Sequence, residues 1–154
     1  MFAQLHDNLV RQWKGLELLE SLLQEEFGLL CARDTEAVSS LEFSIHELLR
    51  QLAVERMDVK KVMQGTKLAE YANLLPDEEG ARLRSLIAVI DDAEQRCARL
   101  ASHNTELSLA LLDQSHALLT HLHDAVTPKQ HNVYSANGQF REPRLGATLL
   151  SGRY

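Results

Sequence analysis

The chain has 154 residues, 45% of them hydrophobic and 25% charged, a balance ordinary for one soluble domain. Its formal charge of −6 is uneven: after residue 126, Lys129, Arg141, Arg144 and Arg153 stand against Glu142 alone, so the preceding residues carry −9. An acidic body argues against nucleic acid as partner, because phosphate binding needs a basic surface to release counterions. No run approaches the roughly 18 uncharged apolar residues of a membrane span, and the opening MFAQLHDNLVRQWKG lacks the basic and apolar regions of a secretory signal.

Helix-breaking residues are scarce and unevenly placed. Pro128, Pro143, Gly138, Gly146 and Gly152 all fall after residue 127, so the long first part favours helix. In the first segment Leu5, Leu9, Trp13, Leu16, Leu19, Leu23, Phe27 and Leu30 are spaced 4, 4, 3, 3, 4, 4 and 3 apart. That spacing keeps one stripe on one side of a helix over about eight turns and predicts a helix over 2–31. Gly15 and Gly28 weaken it, each by about 1 kcal/mol relative to alanine.

Asp34 follows at a break in the pattern, where its carboxylate can accept the free N–H groups of a new turn. A second helix over 35–63 carries Val38, Leu41, Ile45, Leu48, Leu52, Val59 and Val62, interrupted by Glu55, with Gly65 as its stop. Residues 64–76 form a connector with room for a short helix around 68–74. Pro76 and the acidic run Asp77, Glu78 and Glu79 suit the start of a third long helix.

That helix is predicted over 77–125, roughly 75 Å at 1.5 Å per residue. Leu83, Ile90, Cys97, Asn104, Leu111 and Leu118 share one heptad position, with Leu86, Ala93, Leu100 and Leu107 three residues later. Asn104 is the polar exception, of the kind that fixes register or partner choice at some cost in stability. Beyond Leu111 the seam is diluted by Gln114, Ser115, His116 and His121. The expected fold is all-α: an antiparallel three-helix bundle or coiled coil over 1–126, with a very long third helix and a flexible C-terminal tail over 127–154. Residues 107–125 then extend past a simple bundle, and an amphipathic extension without an internal partner calls for an external one. In the tail, Asn137-Gly138 between Val133, Tyr134 and Phe140 signals a turn, and a segment that orders on binding fits better than a lone hairpin.

Chemistry finds no foothold. There is no phosphate-cradling loop and no nucleophile elbow. His121 and His123 are two apart on a helix and cannot share a face, while His116 and His123 are two turns apart. A carboxylate-bridged dimetal site needs paired Glu-x-x-His motifs, and neither Glu42 with His46 nor His103 with Glu106 supplies one. Cys31 and Cys97 read as buried free thiols in a reducing cytosol. Neither catalysis nor a metal or other cofactor is expected.

Specific residues resemble a family. Ser102-His103-Asn104 in the last helix, and Val133-Tyr134-Ser135-Ala136-Asn137-Gly138-Gln139 beginning 29 residues later, are similar to elements of the FlgN family of flagellar type III export chaperones. Arg33-Asp34 also resembles a loop that the family often carries, while Ser135 departs from its usual glycine. The resemblance implies a cytoplasmic, non-enzymatic chaperone that binds the C-terminal regions of hook-associated (hook–filament junction) proteins. It keeps them from polymerising early and delivers them to the export gate. Client contact is then implied at the amphipathic helix of about 104–125, through Asn104, Leu107, Leu111, Leu118 and Leu122. Docking to the cytoplasmic domain of the export gate falls on Tyr134, with Gly138 and Gln139. A homodimer is left open and no membrane insertion is expected. The alternative, a structural coiled-coil adaptor or scaffold unrelated to export, would form stable higher oligomers in sedimentation.

Overall fold

A computed structural model describes residues 1–127. Within that range the chain is helical: α1 Phe2–Ala32, α2 Thr35–Met63, α3 Leu68–Leu74 and α4 Asp77–Val126. The architecture is all-α, three long helices and one short one, and the expected fold class holds.

The helix ends follow from local chemistry. Arg33 closes α1 in the left-handed region (φ 58°), sending its N–H back to Leu29 and Leu30 carbonyls. Asp34 caps α2, its Oδ1 accepting the Ala37 N–H at 3.0 Å. A link this short reverses the chain, so α1 and α2 run antiparallel. At the far end Gln64 (φ 48°) and Gly65 (φ 91°) are both left-handed, and the helix ends at Met63, two residues before the glycine that signalled it. The extended Leu75 precedes Pro76, as steric conflict with the proline ring requires. Pro76 then offers its carbonyl to the Gly80 N–H at 2.8 Å, and the three acids of the first turn of α4 face the positive end of its dipole.

Residues 1–111 form one compact unit. Its core is Leu5, Leu9, Leu16, Leu19 and Leu23 of α1, Ile45, Leu52 and Met63 of α2, Ala72 of α3, and Leu83, Ile90, Ala93 and Cys97 of α4. The two glycines that matter here permit close packing. A Cβ on Gly15 would stand 2.8 Å from Leu52 Cδ2, and one on Gly80 would stand 2.5 Å from the Ala72 carbonyl oxygen. Gly80 therefore lets the backbone of α3 lie directly on α4, where Arg84 Nη1 also donates to Ala72 O at 3.4 Å.

Glu55, which interrupts the apolar stripe of α2, has a partner set on α1. Its carboxylate accepts from Arg11 Nε at 2.8 Å and Nη2 at 2.9 Å, and from Asn8 Nδ2. Asn8 also donates to the Glu55 carbonyl at 3.2 Å, and Gln12 donates to Asn8 Oδ1 at 2.6 Å. Asn8 and Gln12 are both buried, so the α1–α2 seam contains a polar lock as well as leucines.

Candidate functional site

The conspicuous site candidates lie along the second half of α4. Within the bundle, α4 is tied to α1 by polar contacts at regular intervals. Arg96 holds Glu20, with Nε 3.0 Å from Oε2, and also pairs with Asp92 one turn back. The Cys97 thiol is buried as expected, whereas Cys31, at the end of α1, is exposed; Cys97 donates to Leu16 O at 3.4 Å, and burial pushes that thiol's pKa up.

One heptad further, Asn104 is 3% exposed. Its Nδ2 donates to Leu23 O at 2.8 Å and to Glu26 Oε2 at 2.7 Å. The Oδ1 atom is buried and accepts no hydrogen bond among the described residues. Beside it the His103 ring stacks on Phe27, centroids 5.1 Å apart at 26°. The His103-Asn104 pair is thus committed to α1: one ring covers Phe27, and one amide bridges a backbone carbonyl and a carboxylate. Fixing the register of a seam is what a buried asparagine does in coiled coils.

The candidate leucines fall into two groups. Leu107 and Leu111 are half-buried. Leu118 and Leu122 are 54% and 57% exposed, and they belong to a second unit that begins at Leu112. Leu112 and Leu119 in that unit, and Leu109 in the first, are also exposed. Sequence reasoning follows the heptad seam: it counts Leu112 and Leu119 with Leu118 and Leu122 in what remains of that seam without placing them in the client-binding set, and it passes over Leu109. Adjacent leucine pairs, Leu111-Leu112 and Leu118-Leu119, were the available signal that the stripe widens here. The remaining site candidates, Tyr134, Gly138 and Gln139, and the tail turn at Asn137-Gly138, lie outside the described residues.

Among the described residues no group of three or more His, Cys, Asp or Glu side chains could hold a metal ion. None of the described helices is long and apolar enough to cross a membrane.

A helical bundle that exposes leucines along a long amphipathic helix has the means to hold another polypeptide: apolar area at helical spacing. The sequence model of the FlgN protein family matches residues 1–142. The chain belongs to that family, which is the family of flagellar export chaperones. No curated protein and no solved structure matches the chain.

Proposed function

We propose that this protein is a cytoplasmic export chaperone with no catalytic step. It binds the C-terminal regions of flagellar hook-associated proteins, keeps them from polymerising, and delivers them to the export gate. The observation that carries the reading is the exposure of the leucines at the end of α4, Leu118 and Leu122 among them, in a chain of this family. Isolated exposed leucines are ordinary, but several along one helix make an apolar surface of the kind that takes a partner helix. The client grip comprises Leu107, Leu111, Leu118 and Leu122, with Asn104 at its inner end, where the amide also holds α4 to α1. Tyr134, with Gly138 and Gln139, is the element that docks to the cytoplasmic domain of the gate.

The test is binding of a purified C-terminal fragment of a hook-associated protein. Substituting Leu111→Asp together with Leu118→Asp is expected to weaken binding by more than about tenfold, since each buried leucine at a protein interface is worth more than about 1 kcal/mol. A second pair, Leu118→Asp with Leu122→Asp, alters only exposed positions and controls for folding. Normal binding by both pairs would remove the client surface from α4. Tyr134→Ala is expected to leave client binding intact and to lower export; a variant that loses both places Tyr134 in the client site instead.

A further inference from the structure

The outer face of α2, turned away from the buried Ile45 and Leu52, is built unlike an ordinary solvated face. Phe43 is 82% exposed, and Val54 and Met57 are 49% and 52% exposed. They belong to a second stripe that runs from Glu36 to Lys61 in steps of 4, 3, 4, 3, 4, 3 and 4, and every residue on it is exposed. Such steps are the a and d positions of a coiled coil, and here they face away from the bundle. Charge is graded along the same helix. Residues 35–49 hold Glu36, Glu42 and Glu47 and no lysine or arginine, whereas residues 50–63 hold Arg50, Arg56, Lys60 and Lys61 against Glu55 and Asp58.

We infer that this face pairs with the same face of a second copy of the chain, the two α2 helices antiparallel about a twofold axis beside Leu48 and Leu49. Reversing the stripe onto itself about that point sets Glu36 against Lys61 of the copy, Ser40 against Met57, Phe43 against Val54 and Glu47 against Arg50. The twofold axis repeats each layer once, as a self-complementary interface demands. Every layer joins an a position to a d position, which is the alternation of an antiparallel coiled coil. No layer brings like charges together. Parallel pairing would instead stack Glu36 on Glu36, Glu47 on Glu47 and Arg50 on Arg50, so the charges select both the occupant and its direction.

Arg50 already holds Glu47 of its own chain, Nε 2.9 Å from Oε2 and Nη2 2.7 Å from Oε1. At the axis two such pairs meet in a ring of four alternating charges, and a guanidinium with five N–H donors serves two carboxylates. Lys61, held by Asp58 at 3.1 Å, meets Glu36 of the copy at either end. Phe43 against Val54 is the apolar centre of each half, and the small, exposed Ser44 and Ala53 beside it let the helices approach. The stripe is about 38 Å long at 1.5 Å per residue. One helix per chain makes a small interface, and a dissociation constant on the order of 10 μM is expected. The −9 on the first 126 residues of each copy opposes association. That repulsion is screened beyond about 8 Å at physiological salt, whereas the layers are in contact. The inference does not rest on the client or gate contacts of the preceding section.

Sedimentation equilibrium of the whole chain at physiological salt is expected to show monomer and dimer in exchange. Phe43→Glu is expected to weaken the dimer more than about tenfold, because the axis counts each change twice, while Leu118→Asp leaves it intact. The decisive arm is a charge exchange. Glu47→Arg alone gathers four guanidinium groups at the axis, and Arg50→Glu alone gathers four carboxylates, so each variant is expected to remain monomeric. Mixed in equal amounts, the two regain opposite charges in every layer and should form a heterodimer at least about tenfold tighter than either forms alone. Helix content read by circular dichroism accompanies each variant, and the mixture carries the test alone if Phe43→Glu unfolds. Four results would overturn the proposal. They are a parent chain that stays monomeric well above the expected constant, a dimer that Phe43→Glu leaves intact or Leu118→Asp dissociates, charge variants that fail to pair when mixed, and loss of client binding on Phe43→Glu in a chain that sediments as a monomer.

Discussion

Asn104 offers the sharpest test of how α4 is held. The side chain makes two hydrogen bonds through Nδ2, to Leu23 O and Glu26 Oε2, and leaves Oδ1 buried without a partner among the described residues. A neutral bond is worth about 1 kcal/mol net and one to a carboxylate about 1.5–3. Glu26 is only half-buried and rehydrates when released, so the lower end of that range applies. Asn104→Ala removes both bonds and opens a small cavity, and is expected to cost about 2–3 kcal/mol. Asn104→Leu loses the same bonds. It gains burial of an apolar side chain worth about 1.5–3 kcal/mol, and removes an oxygen desolvated without compensation. The leucine variant should therefore lie within about 1 kcal/mol of the parent. Urea unfolding followed by the fluorescence of Trp13, the one tryptophan in the chain, measures both. The reasoning is refuted if leucine costs as much as alanine, because the polar group would then be indispensable to stability. If leucine is tolerated but the chain begins to self-associate or changes register, the asparagine serves specificity.

Three further outcomes follow from the packing. Gly28 is helical, and the space its missing Cβ would fill is open, so Gly28→Ala should stabilise by about 1 kcal/mol in thermal or urea unfolding. Gly80→Ala should instead destabilise by about 1–3 kcal/mol, because the added methyl meets backbone at 2.5 Å that no side-chain rotation can relieve; a stabilised variant would show that α3 is free to move off α4. Arg11, donating to Glu55 together with Asn8, holds the Glu55 carboxyl below its ordinary 4.5. The stabilisation is therefore fully present above about pH 4.5 and is lost as pH falls through the lowered value. Glu55→Gln should flatten this acid limb of a stability-versus-pH curve; an unchanged limb would assign it to other carboxylates.

What the sequence disclosed, and what it withheld, divides along a physical line. Periodicity reports which face of a helix is buried, so the stripe of α1 and the heptads of α4 were readable. Of the eight apolar positions on α1, six are buried and Trp13 and Phe27 half-buried. Caps are equally local, and Asp34 declares itself within three residues of the N–H it accepts. Periodicity does not report what lies across the interface. Asn8 and Gln12 look like solvated positions, and Glu55 like a flaw, until α1 and α2 are laid together and 44 residues of separation collapse to a 2.8 Å contact with Arg11. Gly15 likewise reads as a weak point in a helix, yet it and Gly80 each mark a surface pressed close to a neighbour.

The candidate site shows the same limit more severely. A leucine at helical spacing carries the same signal whether a neighbouring helix covers it or not, so Leu107 and Leu118 cannot be told apart in sequence. The structure leaves Leu107 half-buried and Leu118 exposed. Asn104 is the informative residue because it breaks the apolar series, and its bonds to α1 place it where α4 is fastened. A stripe names a face, but only its neighbours determine whether that face is core or grip. A substitution that places charge on Leu107 or Leu118, and asks whether the protein loses its fold or its partner, therefore resolves what no periodicity can.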